Sequence, residues 1–225
     1  MAGWLRNLLI AGVLVGLAVS PAEAASDPIL LIHGFGSHSS TFSELRPWLR
    51  LQGRTVVALD LPGQDNRVNA HYINEQISAL GWSRVDLVMH SMGGLSGRYL
   101  IKSLGGASLI QAYVSLGTPQ YGVDVACLFD EADSGQMCPS GTFLLELNSG
   151  DDTPDGPAWA TIYSRDDRAV PYARSRLDGG ACHFEVSGLS HTGLLHSPGV
   201  TFPLVLAALD DVADSRCPAG GIYRP

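Results

Sequence analysis

The sequence predicts an α/β fold: a doubly wound, mostly parallel sheet of about six strands with helices on both faces. Short apolar runs rich in Ile, Leu and Val recur along the chain, with the length and composition of strands buried on both sides. Between them lie segments of helical spacing, and this alternation favours parallel strands joined by crossover helices. No internal repeat or low-complexity linker interrupts the pattern, so residues 25–225 are expected to form a single domain. With 45% hydrophobic and 16% charged residues, a chain of 225 residues can bury a sizeable core.

The first strand is expected in PILLIH (Pro28 to His33), which runs into Gly34-Phe35-Gly36. Phe42, Leu45 and Leu49 then recur at helical spacing between Thr41 and Gln52, and Gly53 stops that helix. TVVALD (Thr55 to Asp60) is the next strand, followed by the turn residues Leu61-Pro62-Gly63. An amphipathic helix marked by Tyr72, Ile73, Ile77 and Leu80 ends at Gly81. Val85 to Met89 reads as a buried strand that breaks into His90-Ser91-Met92-Gly93-Gly94, and helical spacing resumes to about Leu104. Leu109 to Pro119 supplies another strand. From Gln120 to Pro157 the rhythm stops in an acidic segment with one short helical piece, Phe143 to Asn148; an excursion of this length is expected to shape or partly cover a cleft. Strands resume at Ala158 to Ser164 and Ala181 to Gly188, and Phe202 to Val212 closes the chain as a helix.

The two ends of the chain carry separate signals. Arg6, an apolar run of 12 residues from Leu8 to Val19 and the small-x-small site Ala22-Glu23-Ala24 read as a secretory signal peptide over residues 1–24. The run falls short of the roughly 20 residues a membrane span needs. An exported chain meets oxidising conditions, so the four cysteines are expected to pair locally, Cys127 with Cys138 and Cys182 with Cys217. A formal net charge of −8 with only 14 Lys and Arg argues against nucleic acid as a partner. A monomer without stable membrane insertion is expected.

Chemistry is suggested first by the strand–turn–helix at Ser91. A serine on so sharp a turn holds its hydroxyl clear of both flanking elements, and the Met92 N–H at the helix start faces any oxyanion forming there. Met89, two before the serine, is bulkier than the glycine usual at such a turn, so it is expected either to shift the turn or to narrow the cleft. A serine hydroxyl is a weak nucleophile and needs a base, oriented in turn by a carboxylate. In an open parallel sheet these groups gather at the carboxyl ends of strands. Among the seven histidines, His33, His90 and His191 lie there. His33 precedes the glycine loop, and His90 adjoins the serine and is not expected to face its hydroxyl, which leaves His191 as the base. The acid is Asp166 or Asp167, both just past the penultimate strand. Phe35, in the glycine loop, is the candidate for a second oxyanion N–H.

The segments HGFG (His33 to Gly36), VDLVMHSMGG (Val85 to Gly94), VSLGTP (Val114 to Pro119), LNSGDDTP (Leu147 to Pro154), IYSRDDRAVP (Ile162 to Pro171) and LSHTGLL (Leu189 to Leu195) together resemble the α/β-hydrolase fold. Within it they resemble the small secreted bacterial lipases and esterases, including the compact Bacillus-type and actinomycete-type enzymes. The resemblance implies Ser91 as nucleophile, His191 as base and Asp167 as orienting acid, because Asp-x-x-Val-Pro is the register of the family's acid. It implies Phe35 and Met92 as the oxyanion hole, little or no lid, and no cofactor. The expected substrate is an ester: a lipid first, with short-chain esters or polyesters as alternatives, and acyl transfer as a variant on the same scaffold. Some related lipases hold calcium near the histidine loop, but Asp151 to Gly156 lacks the alternating ligand pattern of a calcium loop, and no metal is expected.

Overall fold

The computed structural model describes residues 26–213 and 222–223. Seven strands form one parallel sheet: β1 (Ile29–Ile32), β2 (Val56–Leu59), β3 (Val85–His90), β4 (Ile110–Leu116), β5 (Ala158–Ser164), β6 (Cys182–Val186) and β7 (Ile222–Tyr223). Their order is β2-β1-β3-β4-β5-β6-β7, and every neighbouring pair is parallel. β1 to β6 are the six strands expected, and β7 adds a short edge strand whose two residues are too few for an apolar run to mark them. The expected leader, residues 1–24, lies outside the described residues.

Alternation along each strand divides the core into two layers. Ile29 and Leu31 of β1 join a cluster with Leu45 and Leu49 of α1 (Leu45–Leu51) and Phe202, Val205 and Leu209 of α6 (Thr201–Ala213). Leu30 and Ile32 face the opposite way, into a cluster with Ile73 and Ile77 of α2 (Asn66–Ala79) and Leu100 and Ile101 of α3 (Met92–Ser103). Both faces of the sheet are therefore covered, which is why its strands carry apolar residues without a polar face. α2 starts earlier than its apolar spacing suggests, because the Asp65 carboxylate caps it by accepting the N–H groups of Arg67 (2.8 Å) and Val68 (3.1 Å).

Strand order reverses at β1, so β2 lies on one side of it and β3 on the other. In an open parallel sheet the crossovers leave a crevice at the carboxyl ends of such a pair. Here that crevice is bounded by the loop after β1, which carries Phe35, and the turn after β3, which carries Ser91.

The excursion between β4 and β5 is ordered as two 3-10 turns, Asp124–Leu128 and Gly135–Met137, and α4 (Thr142–Leu147). Cys127 and Cys138 form a disulfide across it, with a Cα–Cα separation of 4.6 Å. Cys182 is not a free thiol, and its expected partner Cys217 lies outside the described residues. Ala126, Met137, Phe143, Leu144 and Leu147 pack on Met92 and Leu95 at the start of α3. The fully buried Arg98 of α3 binds Leu147 O (3.3 Å), Asn148 Oδ1 (2.8 Å) and the Asp152 carboxylate. Arg67 of α2 pairs with Glu131 (3.0 Å) and Glu146 (2.8 Å). The excursion is thus tied to the helices that follow β2 and β3. A further α5 (Tyr172–Ser175) follows β5.

Met89 proves to be a core residue. Its side chain is fully buried in the layer beneath α3, turned away from the crevice, and it lies over Gly97, where an added Cβ would overlap its Sδ. The missing glycine before Ser91 is offset one turn into the following helix. Gly97→Ala alone is expected to cost about 1–2 kcal/mol through overpacking, while Met89→Ala alone is expected to cost about 2–5 kcal/mol through the cavity it leaves. In the Met89→Ala background, Gly97→Ala should instead stabilise, because alanine is the better helix former by about 1 kcal/mol. Urea denaturation of the four proteins measures the coupling, and strictly additive effects would refute it.

Candidate active site

Ser91 is the only non-glycine residue of the described chain with positive φ (54°, ψ −130°). A conformation this unfavourable persists only where the surroundings over-determine it. Here they do: the Ser91 N–H donates to Leu116 O (2.9 Å), and α3 begins at the next residue, pressed against β1. That approach requires glycine at 93, since a Cβ there would overlap His33 O and come within 2.8 Å of Ile32 O. Gly34 is equally confined, with its missing Cβ 2.6 Å from Ser91 Cβ. The first loop therefore lies directly against the serine.

The structure brings Ser91, His191 and Asp167 together. His191 Nδ1 donates to Asp167 Oδ2 at 2.7 Å, and the Ser91 hydroxyl donates to His191 Nε2 at 2.9 Å. The carboxylate cannot donate, so it fixes the proton on Nδ1 and leaves Nε2 as an acceptor facing the serine. Asp167 is itself held by its turn, with Oδ1 accepting the Ala169 and Val170 N–H groups at 2.9 Å each. Asp166 points elsewhere and accepts the Gly188 N–H at 2.6 Å, tying the acid loop to the histidine loop.

Phe35 and Met92 flank the serine, and neither N–H has an acceptor among the described residues. Met92 is the first residue of α3, where an N–H has no partner within the helix. The Phe35 loop is held from the side by the segment after β2. Leu61 N–H donates to His33 Nε2 (3.0 Å), Gly36 N–H to Gln64 Oε1 (3.1 Å), and Ser39 N–H and Oγ to Asp60 (2.6 and 3.0 Å). His33 is thus a neutral strut that gives its Nδ1 proton to Gly34 O at 2.9 Å. His183 is a core residue paired with Thr161 (2.8 Å), and His196 pairs with Glu44 (2.9 Å).

The sequence reading missed what His90 does. Its ring lies tilted at 46° against the His191 ring, with centres 4.6 Å apart, and donates from Nε2 to the His191 carbonyl at 3.0 Å. The residue before the serine thereby fastens the backbone of the histidine loop. Adjacency to Ser91 was the only available clue, because the 101-residue separation hides the pairing. Burial holds the His90 imidazole neutral, with its pKa pushed down to about 3, and burial likewise lowers His183 to about 4. In the unfolded chain both would take a proton near the ordinary 6.5, so the unfolded state binds more protons below that pH. Stability should therefore fall as pH drops from about 6.5 toward 3. His90→Phe should flatten that decline, which a Tm series against pH would reveal; parallel curves would show that His90 does not contribute.

Fold and geometry together define an α/β scaffold with a serine, a histidine and a carboxylate in hydrogen-bonded sequence at its switch point. The chain belongs to the alpha/beta hydrolase family, whose profile matches residues 29–216. Similar curated proteins include triacylglycerol lipases from Burkholderia plantarii (28% identity over 131 residues, 49% of this chain and 36% of that one) and Pseudarthrobacter phenanthrenivorans (26% over 113 residues, 44% and 35%). The matched segments thus span little more than a third of those relatives. Among solved structures, a Bacillus licheniformis lipase in its mature form superposes with a TM-score of 0.69 at 17% identity, covering 83% of this chain and 93% of that one. A thermophilic esterase from Thermogutta terrifontis gives 0.64 at 14% identity, covering 84% and 91%.

Proposed function

We propose that this protein is a serine ester hydrolase of the lipase and esterase type, acting through an acyl-enzyme on Ser91. The observation that carries the proposal is the hydrogen-bonded sequence Ser91–His191–Asp167 on a strained turn at the sheet's switch point. In this reading His191 Nε2 takes the Ser91 proton as Oγ attacks the ester carbonyl. The Phe35 and Met92 N–H groups receive the oxyanion, and Asp167 stabilises the imidazolium that forms. His191 then protonates the departing alcohol, and water activated by the same imidazole releases the acid.

His90 acts as a positioning residue in this scheme. His90→Phe keeps the ring and loses the donor, and kcat is expected to fall about 10- to 100-fold with KM little changed; His90→Gln should recover part of the loss. The named activity of the lipase relatives makes triacylglycerols a first substrate class, with short-chain esters and polyesters next. We further propose that residues 25–225 act as one exported domain after cleavage of the leader near Ala24, with Cys182 and Cys217 paired. Among the described residues no helix is long and apolar enough to cross a membrane.

The test is labelling by a fluorophosphonate, which reacts only with an activated serine, together with hydrolysis of p-nitrophenyl esters of graded chain length and of a polyester film. A chain that neither labels nor cleaves any of these would end the proposal. Product formed preferentially on an added alcohol would convert it to acyl transfer.

A further inference from the structure

Past the acid, the chain builds a second concave feature that the proposed triad does not use. A cavity of about 540 Å³ beside Asp167 and His191 is bounded by Arg168 and Ala169. The same two residues form a wall of a second cavity, of about 170 Å³, whose other walls include Gly122, Val123 and Arg174. The two cavities therefore adjoin across Arg168, one residue from the acid.

The charges around this wall are not balanced internally. Arg165 is satisfied by Glu185 at 2.8 Å and lies 5.0 Å from the Tyr172 ring centre. Arg168 has no ion-pair or hydrogen-bond partner among the described residues, although the chain carries a formal net charge of −8. Its backbone is nevertheless held in place, because Asp167 Oδ1 clamps the N–H groups of the next two residues. Arg174 is anchored at one end by Nη1 donating to Tyr121 O (2.9 Å), and Tyr121 N–H returns a bond to Arg174 O (3.2 Å). Its Nη2 lies 3.8 Å from Asp124, a carboxylate 89% exposed to water. Two guanidiniums and the exposed Asp124 carboxylate thus line one small cavity, and Arg168 keeps its donors free in the fork geometry that suits an oxyacid. Val123, Val125, Ala169 and Pro171 give it apolar walls that suit a short carbon chain.

We propose that this cavity is a subsite for an anionic group on the substrate, so that the preferred esters carry a carboxylate or phosphate some carbons away from the bond that is cleaved. The inference rests on the ester-hydrolase reading above. It adds a substrate class: hemiesters of dicarboxylic acids, or esters bearing a phosphate. Arg168 and Arg174 bind the anion, and a chain running past the acid loop links it to the carbonyl at Ser91.

The experiment compares p-nitrophenyl hemiesters of succinate, glutarate, adipate and suberate with uncharged p-nitrophenyl esters of matching length, in wild type and in R168Q, R174Q and the double variant. A phosphate arm compares dihexanoyl phosphatidic acid with dihexanoylglycerol. At least one anionic ester should match or exceed its uncharged counterpart in kcat/KM for wild type. The double variant should lower that ratio ten- to hundredfold, and 0.5 M salt should lower it in wild type only. Loss confined to the carboxylate or to the phosphate arm identifies which oxyacid is taken. Equal effects of the variants on charged and uncharged esters, or discrimination by wild type against every anionic ester, would overturn the subsite. Titration of S91A protein with suberate reads the site without turnover: binding that R168Q/R174Q abolishes supports it, and no binding counts against it. Failure of fluorophosphonate labelling in wild type would instead bear on the ester-hydrolase reading alone.

Discussion

Ser91→Ala is expected to lower ester hydrolysis by a factor on the order of 10⁴ to 10⁶, leaving only the rate that the oxyanion donors and substrate binding provide. The fold should survive, because the side chain makes one hydrogen bond, to His191, and the backbone conformation is imposed from outside. Ser91→Gly separates the two properties further. Glycine adopts φ of 54° without strain, so the variant should be as inactive as Ser91→Ala yet more stable, by about 1–3 kcal/mol. Thermal unfolding of the three proteins beside a p-nitrophenyl butyrate assay checks both effects. Residual turnover above one part in a hundred in either variant would remove Ser91 from the role of nucleophile. A Gly variant no more stable than wild type would mean that the turn stores no strain.

Gly93→Ala is expected to have the largest effect on folding. Its Cβ would overlap His33 O, and the neighbouring Ile32 O would be only 2.8 Å away. Both are backbone atoms of a central strand or its end, fixed by the ladder to β2 and β3. Neither can rotate aside, so α3 would have to lift from the sheet, carrying Met92 with it and opening the packing against the excursion. A loss above about 4 kcal/mol, enough to prevent soluble expression, is expected. Gly63→Ala is the control, since nothing lies within 4 Å of the Cβ it would add, and it should express and melt like wild type. Equal yields of the two variants would show that α3 does not need its close approach.

The contrast between Gly93 and Met89 shows how far sequence reasoning reaches. A glycine two residues after a strand–turn serine has one local use, to let helix and strand approach, and that is what Gly93 does. Met89 has no local signature of its function. Whether a side chain at the end of β3 faces the crevice or the core depends on the pleat and on what covers that face, and Gly97, eight positions later, provides the space. The start of α2 shows a similar limit, because its first turn is fixed by the Asp65 cap while the apolar spacing begins further on. The choice between Asp166 and Asp167 also needed more than position. Both follow β5, and only the turn that Asp167 closes on its own backbone aims one carboxylate at His191.

By itself, the sequence determined the parallel α/β architecture, the strand–turn–helix at Ser91 and the set of polar residues at strand ends, because periodicity and turn chemistry act over a few residues and are written locally. The seventh strand, the burial of Met89 over Gly97, the bond from His90 to the His191 backbone and the pair of guanidiniums behind Asp167 were decided only in three dimensions. The seventh strand and the His90 bond join segments far apart in the chain, and even the near neighbours, Met89 with Gly97 and Arg168 with Arg174, meet only through the way strand, helix and loop pack. No local pattern of residue types encodes that packing.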